Sequence, residues 1–184
     1  MMKDVRSMCF CSMFAVLIAV GAFIKIPISI VPITLQTLFV VMAGFILGKK
    51  KAFLSVLLYI MIGLLGLPIF ANGGGIAYVL QPTFGYLIGF LVVSYLIGRF
   101  SEKGKDIKSM MIISIVGMLI IYMFGMIYFA LIQKFYYGLT FETSWILYYL
   151  FLVYLPGDIL SCIIGVFLSK RLMKVDVVRQ VREK

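Results

Sequence analysis

The sequence contains no histidine. It therefore lacks the commonest general base and the commonest metal ligand. Cysteine is scarce: Cys9 and Cys11 form a C-x-C pair and Cys162 stands alone. No second pair completes a zinc or thiol-redox pattern, so all three read as small, membrane-buried apolar residues. Charged residues make up 13%, about half the share in a soluble domain. Paired carboxylates are missing from the apolar runs, which leaves general acid–base catalysis without its second group. A nucleotide site is missing too. "GFILGKKK" at 44–51 has three residues between its glycines and no Ser or Thr after its lysines, so it is not a phosphate loop. Nor is there a basic ladder or acidic ring of the kind that lines an ion pore.

What the sequence has in excess is apolar surface. Hydrophobic residues are 64% of 184, and the mean hydropathy is +1.15. One soluble core of this size cannot absorb that much apolar side chain. The composition predicts an all-α integral membrane protein with a single transmembrane domain. Six spans are expected, at approximately 8–24, 35–48, 52–66, 83–98, 109–132 and 145–170, followed by a basic tail over 171–184. Five further apolar runs follow the first, so it reads as a retained span rather than a signal peptide. Pro27 and Pro32 exclude a regular helix over 25–34, which is expected to be an irregular loop dipping into the protein. "GLPIFANGGGIAYVLQPTFGY" is unlike a lipid-facing helix because Gly73, Gly74 and Gly75 break regular structure. "PGD" at 156–158 is expected to interrupt the sixth span.

The charge is +10 overall but unevenly placed. The N-terminus, a loop at 49–51, a loop at 99–108 and the tail together carry 15 of the 17 basic residues, leaving Lys25 and Lys134 elsewhere. The positive-inside rule then puts both termini in the cytoplasm. The charge is an orientation signal and an attraction to lipid headgroups rather than a nucleic-acid footprint. Tyr136, Tyr137, Trp145, Tyr148 and Tyr149 fall where an outer aromatic belt is expected.

Asp158 is the most informative residue. An ionisable group inside an apolar run costs about 2.5 to 3.5 kcal/mol on insertion scales, so it marks a functional site by default. Tyr154, Ser161 and Cys162 share its face at helical spacing. An acceptor-only carboxylate beside aromatic surface suits a ligand with N–H donors and an apolar body. The bland alternatives are a salt bridge from Asp158 to Lys25 or a carboxylate near enough to the interface to be hydrated. Asn72 offers a donor and an acceptor, and the glycines after it allow backbone to approach a ligand closely. Gly44 with Gly48, Gly85 with Gly89, and Ala15 with Ala19 are small-xxx-small pairs that suit helix contacts.

The segments "VGAFIKIPISIVPITLQTLFVVMAGFILG" (20–48), "GLLGLPIFANGGGIAYVLQPTFGYLIGF" (63–90) and "LPGDIL" (155–160) resemble the BioY family. That family is the biotin-specific S component of energy-coupling factor (ECF) transporters. The likeness is dense over residues 10 to 100 and rests on one motif in the last span. It implies an S-component-like bundle that captures biotin from outside. It further implies delivery together with a transmembrane T subunit and two ATPase subunits. The chain would then be no enzyme and would need no cofactor.

The resemblance also implies roles. Asp158 would accept from the ureido N–H groups of biotin, with Asn72 alongside. Tyr78, Tyr86 and Tyr154 would supply surface for the rings, with Gly85 at the same site. Pro27, Pro32 and Thr34 belong to a lid over the pocket, and 67–81 would be a second closing loop. Ala15 and Ala19 fit the A-x-x-x-A contact to the T subunit. Two departures stand out. Ser161 replaces a lysine usual in P-x-D-x-x-K, and Gln81 precedes "PT" where a basic residue or glycine is common. Gln81, Ser161, backbone N–H groups or Lys25 would then stand in at the biotin carboxylate. The alternative is a different small solute, such as a biotin precursor or lipoate-like compound, moved with the ECF module or by proton coupling through Asp158.

Overall fold

The structure is a computed structural model that describes residues 5–26, 32–101 and 106–183. Eight helices dominate it. They are α1 (Val5–Phe23), α2 (Gln36–Leu47), α3 (Lys49–Leu64), α4 (Phe84–Ser101), α5 (Ile107–Phe135), α6 (Thr143–Leu147), α7 (Leu155–Leu172) and α8 (Asp176–Glu183). A two-residue ladder, β1 (Lys25–Ile26) with β2 (Ile33–Thr34), is antiparallel and sets Lys25 opposite Thr34. The expected irregular loop at 25–34 therefore has paired flanks.

Among the described residues, four stretches are long and apolar enough to cross a membrane: α1, α4, α5 and the near-continuous helix Ser144–Leu172. α2 and α3 are shorter, with 12 and 16 residues. At 1.5 Å per residue they extend about 18 and about 24 Å, less than the hydrocarbon thickness. α2 tolerates this because it does not face lipid. All of its residues but Phe39 are buried, and it packs on α1, α3, α4, α7 and α8. The chain is read as spanning a membrane.

Two boundaries differ from expectation. Residues 49–51 are not a loop: α3 begins at Lys49, and Gly48 alone separates it from α2, with φ of 75°. A side chain at Gly48 would be strained there. Gly48 is thus a pivot, while Gly44 makes the expected close approach, to Ile97 and Ser94 of α4. In the last span the break falls before "PGD". Tyr148–Leu152 form a π-helical turn, and α7 then restarts with Pro156 in its first turn. Proline is compatible there because the first helical N–H groups have no intrahelical partner.

Several basic residues meet at one end of the molecule, where α8 packs. Arg6 donates to Gln180 at 2.9 Å. Lys51 donates to the Val181 carbonyl, and Arg182 to that of Ser101. The expected tail is therefore an ordered helix, α8. It buries Val178 and Val181 against Cys11, Phe14, Ile46 and Leu47.

Candidate functional site

A cavity of about 50 Å³ lies at the opposite end, larger than one water requires. Its walls come from Pro32–Thr34, the start of α2, the turn Ile76–Leu80, the start of α4, the middle of α5 and the start of α7. α2 is short and enclosed, so its positive end is delivered to the cavity at depth.

Asp158 sits in the first turn of α7 and is 9% exposed. Tyr122 of α5 donates to its Oδ2 at 2.5 Å, and the Thr37 hydroxyl of α2 bonds the same carboxylate. The start of α7 also favours a negative charge at this position. A carboxylate has about four acceptor sites, so two hydroxyls leave it capacity for a ligand. Lys25 is not its partner: Lys25 donates to the Ala71 carbonyl. That bond ties the hairpin to the second loop at the cavity edge, since Thr34 and Ala71 both line it.

The remaining walls are aromatic. The Tyr86 and Tyr122 rings meet edge to face at 6.5 Å, and the Tyr86 hydroxyl donates to the Leu150 carbonyl at 3.3 Å. The Tyr78 ring packs at a tilt on Phe70, with centroids 4.5 Å apart, and its hydroxyl accepts from the Thr83 hydroxyl at 3.1 Å. Burial pushes the Tyr78 phenol above its ordinary range, so it remains a neutral donor. Tyr154 completes the lining.

The structure thus brings together Asp158, Tyr78, Tyr86, Tyr154, Pro32 and Thr34. It does not bring the other expected residues. The Asn72 side chain is exposed, and its backbone N–H instead bonds the Tyr78 hydroxyl. The "NGGG" glycines do permit a close approach, but to the chain itself. Phe70 and Gly73 bond each other, and the Gly75 N–H donates to the Gly63 carbonyl at 2.7 Å, folding the loop onto the end of α3. Gln81 is exposed and outside the lining, and Ser161 is buried outside it. Gly85 faces α5, where an added Cβ would fall 2.3 Å from the Tyr128 Cβ. It is a helix contact, as is Gly89 against the Ile121 backbone. Pro27 lies outside the described residues. Ala15 and Ala19 are 5% and 9% exposed and face the chain's own core; the side of α1 turned outward carries Ser12, Val16 and Val20.

Sequence reading missed Gln36, Thr37, Thr83 and Tyr122, which also line the cavity. Gln36 donates to the Tyr59 hydroxyl at 2.8 Å. The available signal was "TLQT", a polar pair opening an apolar run. Among the described residues, no group of three Cys, Asp or Glu side chains is placed to hold a metal.

The BioY family model matches residues 1–176. The chain is 52% identical over 120 residues to a probable biotin transporter BioY of Lysinibacillus sphaericus, covering 63% of this chain and 60% of that protein. A probable biotin transporter BioY of Pyrococcus horikoshii is 45% identical, with 54% of this chain and 62% of that protein covered. The chain therefore spans under two thirds of these two relatives. The biotin transporter BioY of Lactococcus lactis subsp. cremoris is 34% identical over 88% of this chain and 87% of its own. A crystal structure of the S-component for biotin from an ECF-type ABC transporter superposes with a TM-score of 0.85. It is 29% identical and covers 97% of this chain and 96% of that one.

Proposed function

We propose that this chain, which belongs to the BioY family, captures biotin and delivers it with an ECF module of one T subunit and two ATPase subunits. The observation that carries the reading is Asp158, held by Tyr122 and Thr37 in an aromatic-walled cavity. Biotin's ureido ring presents two N–H groups to a carboxylate with acceptor capacity left, and Tyr78, Tyr86 and Tyr154 flank its apolar body. The names of the relatives and of the solved neighbour favour biotin over another solute. The chain is a binding subunit rather than an enzyme, and ATP hydrolysis belongs to its partners.

Lys25 reads the ligand's carboxylate. Its two contacts, Thr34 across the ladder and Ala71, both line the cavity. The helices make six passes, α2 and α3 as a tight pair and the last from α6 through α7. The basic end is cytoplasmic, both termini lie there, and the cavity opens outward in the plasma membrane. The T subunit meets α1 on its outward stripe of Ser12, Val16 and Val20, with Ala15 and Ala19 letting α1 nest closely on its other side.

Calorimetric titration of the purified chain with biotin, biotin methyl ester and lipoate tests this. Tight biotin binding with a weaker ester is expected. Binding of lipoate without biotin would overturn the substrate.

A further inference from the structure

The basic end holds a second cavity, of about 230 Å³, between the ends of α2, α4, α5, α7 and α8. Its floor is apolar: Phe45 and Met110 are buried and Met173 half-buried. Its rim is cationic. Lys170 stands in the last turn of α7, Lys174 in the turn that follows it, and Arg182 reaches in from α8. Arg182 is fixed by bonds to the Ser101 carbonyl and the Met173 sulfur. Lys170 and Lys174 make no hydrogen bond or ion pair among the described residues. Asp106 is a nearby anion, and Ser109 hydrogen-bonds its carboxylate and holds it below the usual range, with Lys170 contributing. Among the described residues that line the cavity, the charged ones are Lys170, Lys174 and Arg182, all cationic.

An apolar floor under a cationic rim matches an amphiphile with an anionic head. Basic pockets between membrane helices take phospholipid headgroups in this way. We propose that this cavity binds the phosphate of an anionic phospholipid, held by Lys170, Lys174 and Arg182 over Phe45, Met110 and Met173. The family match ends at residue 176, so Arg182 completes the site from a helix beyond it.

Native mass spectrometry of the full chain, released from micelles holding equal phosphatidylglycerol and phosphatidylcholine, tests the proposal. Wild type should retain phosphatidylglycerol selectively. K170Q/K174Q should lower that retention about thirtyfold with an unchanged thermal midpoint. K49Q/K50Q removes two charges from the same end outside the cavity and should retain lipid as wild type does. Unchanged retention in K170Q/K174Q, or equal loss in both variants, would overturn the site. Displacement of the lipid by inorganic phosphate, with phosphate adducts in its place, would assign the cavity to free phosphate and overturn the lipid.

Discussion

Tyr122 and Asp158 meet across the α5–α7 contact, with the phenol donating to Oδ2 at 2.5 Å. The bond joins the middle of one helix to the first turn of another. It commits Oδ2 of the carboxylate to the protein, while Asp158 still lines the cavity. The consequences for binding are open to measurement.

Asp158→Asn should weaken biotin binding tenfold or more in calorimetric titration. Hydrogen bonds to a charged group are worth about 1.5 to 3 kcal/mol, and about 1.4 kcal/mol is a factor of ten. Unchanged affinity would remove Asp158 from the ligand contacts.

Tyr122→Phe leaves the carboxylate and deletes only its orienting hydroxyl. A loss of about three- to tenfold is expected, from a net bond of about 1 kcal/mol. In the double variant with Asp158→Asn the two effects should not add, because the groups act through one bond. Full additivity would show that Tyr122 touches the ligand independently.

Lys25→Met should reduce affinity for biotin but not for its methyl ester. Equal losses for both ligands would mean that Lys25 serves only to tie the hairpin to Ala71.

Gly85→Ala separates packing from ligand contact. Its methyl would fall 2.3 Å from the Tyr128 Cβ and 2.7 Å from the Phe124 carbonyl oxygen. Overpacking of this kind costs about 1 to 3 kcal/mol. The melting midpoint should drop while the folded protein keeps its Kd, and a changed Kd at constant midpoint would restore Gly85 to the site.

Val16→Trp on the outward stripe of α1 should block assembly with the T subunit and spare biotin binding. Ala15→Trp should instead fail at folding, since Ala15 is enclosed. Normal co-purification of the Val16 variant with its module would locate the contact elsewhere.

Much of this arrangement was legible in the sequence because membrane solvation is strict. Apolar runs located α1, α4 and α5 closely, and a lone carboxylate in lipid pointed to Asp158. The start of α3 was hidden because lysine can bury its stem and lead its charge to a polar partner, as Lys51 does at Val181. The π-helical turn at 148–152 has no residue signature, whereas Pro156 announced a break that its place in a first turn does not require. Asn72 and Gln81 carry suitable chemistry, but both side chains are exposed and outside the cavity lining. Tyr122 looked like an ordinary member of an apolar run, and Thr37 was marked only by the polar pair it forms with Gln36. Their value comes from distant segments meeting at Asp158, which no local pattern records.

α2 links the two ends of the molecule as a push-rod. Its first turn is cavity wall, and its last turn seats Val178 and Val181 of α8. About 18 Å of rigid helix lies between, with Gly44 notched against α4 along the way. One helix therefore serves both as a wall of the ligand cavity and as the seat of α8, so its two ends cannot be repositioned separately without breaking it.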